Sequence, residues 1–120
     1  MVEAALVRVD PRGFLVGSPI GEVTDEVMAE ISRRLHDTPE FKSGMPVLID
    51  LSHATSLKIT TDQVVAFAKA AQKDVNRMAI IAPDVTAYGL ARMYEMIADL
   101  TEGRVAVYRD EASALIWLQS

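Results

Sequence analysis

The chain has 120 residues, the size of one ordinary domain built on a single core. Half of the residues are hydrophobic and 24% are charged, a globular composition and not a disordered one. There is no cysteine, which excludes disulfides, thiolate metal sites and thiol catalysis, and a formal charge of −5 argues against a nucleic-acid partner.

The amino terminus, MVEAALVRVD, lacks the basic start and apolar stretch of a signal peptide. No apolar run approaches the roughly 20 residues that a membrane helix needs. A cytoplasmic domain without a membrane span is therefore expected. Residues 2–9 and 13–18 read as strands joined by Asp10-Pro11-Arg12-Gly13, a run with tight-turn chemistry, so an antiparallel hairpin opens the fold. Gly17, Pro19 and Gly21 break it off before Thr24. Thr24 suits an N-cap, with Asp25 and Glu26 in a first turn whose dipole favours negative charge. Val27, Met28, Ile31 and Leu35 then share one face. This helix is expected to end near Asp37, because Pro39 disfavours its continuation, and residues 41–44 to form a loop.

Met45, Val47, Leu48, Ile49 and Leu51 make the short apolar run of a strand covered on both faces. After a polar loop over 52–60, Thr60 can cap a second helix, with Gln63 completing a capping box and Ile59 and Val64 a hydrophobic staple. That helix is expected over 61–74, with Val64, Phe67, Ala68, Ala71 and Val75 as its apolar stripe and Lys69 and Lys73 facing water. Residues 77–82 read as a buried strand closed by Pro83-Asp84. A third helix over 85–101 ends at Gly103, and a last strand, 105–108, precedes a short helix, 111–118, capped by Asp110. The order β-β-α-β-α-β-α-β-α implies an α/β domain, with helices packed on a mostly parallel central sheet and the hairpin strand at one edge.

Three stretches carry a resemblance to a known family: VLIDLSHATSL at 47–57, MAIIAPD at 78–84 and VAVYRDEASALIWL at 105–118. With the element order, they resemble the STAS family, the domain of bacterial anti-sigma-factor antagonists and of sulfate-transporter tails. More closely, the chain is similar to the small SpoIIAA-like proteins. The resemblance covers essentially the whole chain and implies one STAS-like domain over residues 1–120. In the antagonists a D-L-S pattern ends the strand and a D-S-S-G motif opens the helix, and a partner kinase phosphorylates the second serine of that motif. Asp50-Leu51-Ser52 matches the first pattern, and Lys58-Ile59-Thr60-Thr61 falls where the second would be. Thr60 keeps a phosphorylatable hydroxyl, but the aspartate has become Lys58 and the glycine Thr61. The resemblance implies a non-catalytic regulatory interaction module whose protein partner is kinase-like or anti-sigma-like.

Two groups of residues follow as candidates. Ser52, Ser56, Thr60 and Thr61, with Thr55, form a hydroxyl-rich surface for docking or phosphorylation. The plain alternative for Thr60 is a cap whose loss costs about 1 kcal/mol. Tyr88, Arg92, Met96 and Trp117 are candidates for an interface or a ligand contact. In the third helix Thr86, Leu90, Met93, Tyr94, Ile97 and Leu100 fall on a core stripe. Gly89 and Met96 widen it on one side, and Ala91 and Ala98 on the other. An arc so broad suggests a homodimer partner or a small apolar, lipid-like ligand, in keeping with the likeness of SpoIIAA-like folds to lipid-carrier domains. A helix wedged between the sheet and its neighbours would read the same way. In the last helix Leu115 and Leu118 lie toward one side and Trp117 away from them, over a neighbouring helix or in a dimer. His36 and His53 are isolated, and neither a nucleophile elbow nor a glycine-rich phosphate loop occurs. No enzyme, cofactor or metal is expected.

Overall fold

A computed structural model of the chain describes residues 5–99 and 103–120. One carboxylate organises its opening hairpin. Asp10 accepts hydrogen bonds from the Arg12 backbone N–H at 2.9 Å, from the Arg12 guanidinium at 2.9 and 3.1 Å, and from Arg8 at 3.0 Å. Gly13, at φ +97°, closes the turn by donating to the Asp10 carbonyl. Strands β1 (Ala5–Asp10) and β2 (Phe14–Pro19) thus pair antiparallel, from Ala5 opposite Pro19 to Asp10 opposite Phe14. The expected start of the first strand, residues 2–4, lies outside the described residues.

The chain continues through β3 (Gly21–Thr24), α1 (Asp25–His36), α2 (Pro39–Lys42), β4 (Val47–Asp50) and β5 (Ala54–Lys58). It ends with α3 (Thr61–Ala71), β6 (Met78–Ile81), α4 (Val85–Ala98), β7 (Val105–Tyr108) and α5 (Glu111–Leu118). The main sheet has the order β1-β2-β4-β6-β7, and every pair beyond the hairpin is parallel. The parallel strands advance across the sheet in one direction. Crossovers of one hand then place their helices on one face. α1, α3 and α4 lie there over Leu15, Val47, Ile49, Ile80, Val105 and Val107. The alternate residues Phe14, Val16, Leu48, Ala79 and Ile81 point the other way, where α5 covers them with Ala114 and Leu118. Gly17 lets α1 sit close, because a Cβ there would stand 3.0 Å from Ile31 Cγ2 and 3.1 Å from Ile49 Cδ1.

The mixed α/β class, the hairpin edge and the mostly parallel sheet stand as expected, with local corrections. Gly21, at φ +79°, turns the chain out of β2 into a further strand, β3, which pairs in parallel with β5 as a separate two-stranded sheet. The loop expected over 52–60 therefore contains a strand. Half of the loop expected over 41–44 is instead helical: a single turn, α2, starts at Pro39, a favoured first position, runs to Lys42 and buries Phe41. α3 stops at Ala71 and not at Asp74, which leaves Val75 75% exposed and off the apolar stripe. α4 ends at Ala98, and the expected stretch 100–102, with Leu100, lies outside the described residues. Its buried face is set by Ala87, Ala91 and Ala98, while Thr86 is exposed, so the stripe is turned by about one residue from the expectation.

Candidate functional site

The hydroxyl-bearing residues are exposed between the end of β4 and the start of α3, with the partly buried Ala54, Leu57 and Ile59 among them. Asp50 accepts from the Ser52 backbone N–H at 2.9 Å and from its hydroxyl at 2.6 Å, an Asx turn that ends the strand. Ser56 lies exposed on β5, and Thr61 opens α3, also exposed. Thr60 caps α3, its Oγ1 accepting from the Gln63 N–H at 3.2 Å.

The other candidates do not converge on these. Tyr88 is half-buried, and the Arg109 guanidinium sits 5.5 Å from its ring centre while donating to the Pro83 carbonyl at 2.6 and 2.9 Å. Arg92 pairs with Glu95 at 2.6 Å on the outer side of α4, and Met96 is 66% exposed. Trp117 packs on the same cluster as Leu115 and Leu118, contrary to its expected orientation, with the Tyr108 ring centre 6.4 Å away. The Arg77 guanidinium covers it at 4.2 Å and donates to the Trp117 carbonyl at 2.9 Å and the Ser120 carbonyl at 3.1 Å. The side exposed on α5 is instead that of Ile116.

A further space lies elsewhere. A cavity of about 150 Å³ lies between the main sheet and the three helices α1, α3 and α4. Ile49, Met78 and Ile80 form its floor, Met28, Ile31 and Leu35 its α1 wall, and Val64, Phe67 and Ala71 its α3 wall. Leu90 and Ala91 close the α4 side, and Leu57 and Ile59 the end nearest β5. Its origin is in the side chains. The inward faces of α3 and α4 carry Ala68, Ala71, Ala87 and Ala91, and small residues on two adjacent helices leave volume above the sheet that larger ones would fill. Ile59 and Val64, the expected hydrophobic staple, both line this space.

Its polar lining consists of Ser32, His36, Asp74 and Tyr94. His36 Nδ1 lies 2.7 Å from the Ser32 carbonyl and Nε2 3.4 Å from Asp74 Oδ1, so the imidazole spans from α1 to the residue beyond α3. Burial, reinforced by the nearby Asp74 charge, pushes the Tyr94 phenol above its usual range and keeps it protonated. Arg104 donates to the Asp74, Gln72 and Ala98 carbonyls, which fixes the same end of the cavity.

This architecture recurs in a solved structure. An uncharacterized protein of the DUF3478 family from Shewanella loihica PV-4, described as having a SpoIIAA-like fold, matches over 96% of this chain and 92% of its own with a TM-score of 0.61. The fold is SpoIIAA-like. Sequence identity over the match is 20%, so the likeness shows the fold alone. No family model matches the chain, and neither does any curated protein. Among the described residues no helix is long and apolar enough to cross a membrane.

Within the SpoIIAA-like fold the strand order never reverses, so the described sheet has no switch-point crevice of the kind that places sites at strand ends. The apolar space lies under the crossover helices instead. Of the candidates read from sequence for an interface or a ligand, none lines it. The usable signal was the alanine content of the inward faces of α3 and α4 beside large residues on α1.

Proposed function

We propose that the protein binds a small apolar molecule in the cavity between α1, α3, α4 and the main sheet. The observation that supports this is the cavity itself, with an almost wholly apolar lining and about 150 Å³ of space. An apolar space of that order can accept a ring the size of benzene. The role is non-catalytic, that of a cytoplasmic carrier or sensor. The experiment is a pair of mass spectra, native and denaturing, of the protein purified from its own host. A noncovalent mass that disappears on denaturation is the expected result. A bare chain that also takes up no added ethylbenzene counts against the reading.

A second reading is a regulatory interaction module like the anti-sigma-factor antagonists, and the exposed hydroxyls from Ser52 to Thr61 favour it. A phosphate on Thr60 would stand at a helix N-terminus beside Lys58 and add about −1.5 to −2 charges to the docking surface. Aspartate also caps helices, so Thr60→Asp should hold stability within about 0.5 kcal/mol while changing affinity for a captured partner. Lost stability with unchanged binding would leave Thr60 a cap. Self-association into a homodimer through exposed Met96 and Ile116 would fit either reading.

A further inference from the structure

The outward face of α4 is apolar, where a surface helix is ordinarily polar. Ala87, Ala91 and Ala98 turn toward the sheet. Half a turn round, at 3.6 residues per turn, stand Val85, Gly89 and Met96, with Arg92 beside them. Val85 is 80% exposed and Met96 66%, and Gly89 and Arg92 are exposed as well. Arg92 pairs with Glu95 of its own chain at 2.6 Å, so its charge is answered before anything docks. We propose that this stripe is a self-association surface, on which α4 of a second copy lies antiparallel with the two-fold axis between Leu90 and Ala91. The contact defines how a homodimer would form, and it does not depend on the cavity being a ligand site.

Gly89 is the residue that a single copy does not explain. Glycine weakens a helix interior relative to alanine, and a Cβ at this position would meet no described atom within 4 Å. Alanine would therefore fit the lone chain and strengthen α4. A bare point on a helix face instead permits another helix to come close. The stripe is also complementary to itself, as a two-fold contact requires. With the axis between Leu90 and Ala91, Val85 falls opposite Met96 of the second copy, and Gly89 falls opposite its Arg92. The longest side chain is thus set against the missing one, and the two apolar ends are set against each other. Placing the axis at Gly89 itself would carry Met96 beyond the first residue of the facing helix. Methionine and arginine are both enriched at protein interfaces. A formal charge of −5 disfavours an anionic membrane, the other surface that an apolar helix face suits.

The chain has no cysteine, so an introduced thiol reports on one position alone. Sedimentation equilibrium of the whole protein should show a monomer–dimer equilibrium below about 1 mM. Val85→Cys and Met96→Cys, both at exposed sites, are then mixed in equal amounts and oxidised with copper phenanthroline. The mixed 85–96 disulfide should form at least about tenfold faster than the 85–85 or 96–96 product, because like positions stand about 16 Å apart along the antiparallel axes. Gly89→Gln puts a side chain on the bare face yet suits a helix. It should weaken self-association at least about tenfold without lowering the helix signal in circular dichroism. Ile116→Lys, on the opposite side of the sheet, should hold self-association within about twofold of the wild type. A wild type that stays monomeric to about 1 mM overturns the proposal and leaves the ligand reading standing. A dimer whose like-position disulfides form as readily as the mixed one also overturns it. So does a dimer that Ile116→Lys abolishes and Gly89→Gln does not.

Discussion

Asn76 shows how much of a fold can rest on one side chain. It is buried, and its amide nitrogen donates to the Phe41 carbonyl at 2.9 Å and the Met45 carbonyl at 2.8 Å. The bonds tie the segment after α3 to the one before β4, more than 30 residues away in each case. Asn76→Ala leaves both carbonyls without that donor and should lower unfolding stability by about 2 kcal/mol in a urea titration. An unchanged midpoint would mean that water replaces the amide at no cost. Nothing in the sequence marks this asparagine, because its partners are distant and are backbone atoms. Thr60 is the opposite case. A cap acts across three residues, so Thr24, Thr60 and Asp110 are legible as caps, and each accepts the expected backbone N–H at 3.2, 3.2 and 2.8 Å. Asp84 caps α4 in the same manner at 2.8 Å, although its place beside Pro83 suggested only the end of a strand.

The same division between near and far governs the elements. The hairpin, the three crossover helices and the parallel strands follow from local periodicity and turn chemistry. β3 and β5 do not, because each is short and its partner lies some 33 residues off in sequence, Gly21 facing Ala54. In α4 periodicity gave the helix but misplaced its buried face. Bulky residues dominate a hydrophobic stripe, whereas Ala87, Ala91 and Ala98 are what lie closest to the sheet. α1 allows a test by pH. Glu30 accepts from Arg33 and from Arg34, each at 2.6 Å, and these pairs lower its carboxyl from 4.5 to about 2. A depressed carboxylate stabilises the fold above its unfolded value and loses that contribution as pH falls toward the folded one. Stability measured by urea midpoint should therefore decline between about pH 4.5 and pH 2, and Glu30→Gln should make the decline shallower. An equally steep decline in the variant would assign the acid sensitivity to other carboxylates, with Asp10 the next to test, since its Arg12 contacts also depress it.

At the scale of the whole molecule, the single direction of the strand order puts three helices on one face and leaves the other to α5. One face is packed by large residues against a short helix. On the other, α3 and α4 present alanines to the sheet, and a space of about 150 Å³ remains. A cavity is a property of how several elements sum in volume, so no single stretch of sequence announces it. That is why the fold and its caps were legible while this site was not, and why the residues singled out for interaction lie outside it. Ligand binding requires that this space admit an apolar molecule. Ala71 lines it from α3. The decisive measurement is the affinity of Ala71→Leu for ethylbenzene, taken with its unfolding temperature. Binding should weaken at least about tenfold with no loss of stability, because the added methyl groups enter space that is already open. A variant that binds ethylbenzene as the wild type does, and that is destabilised by about 1–3 kcal/mol through overpacking, would contradict it.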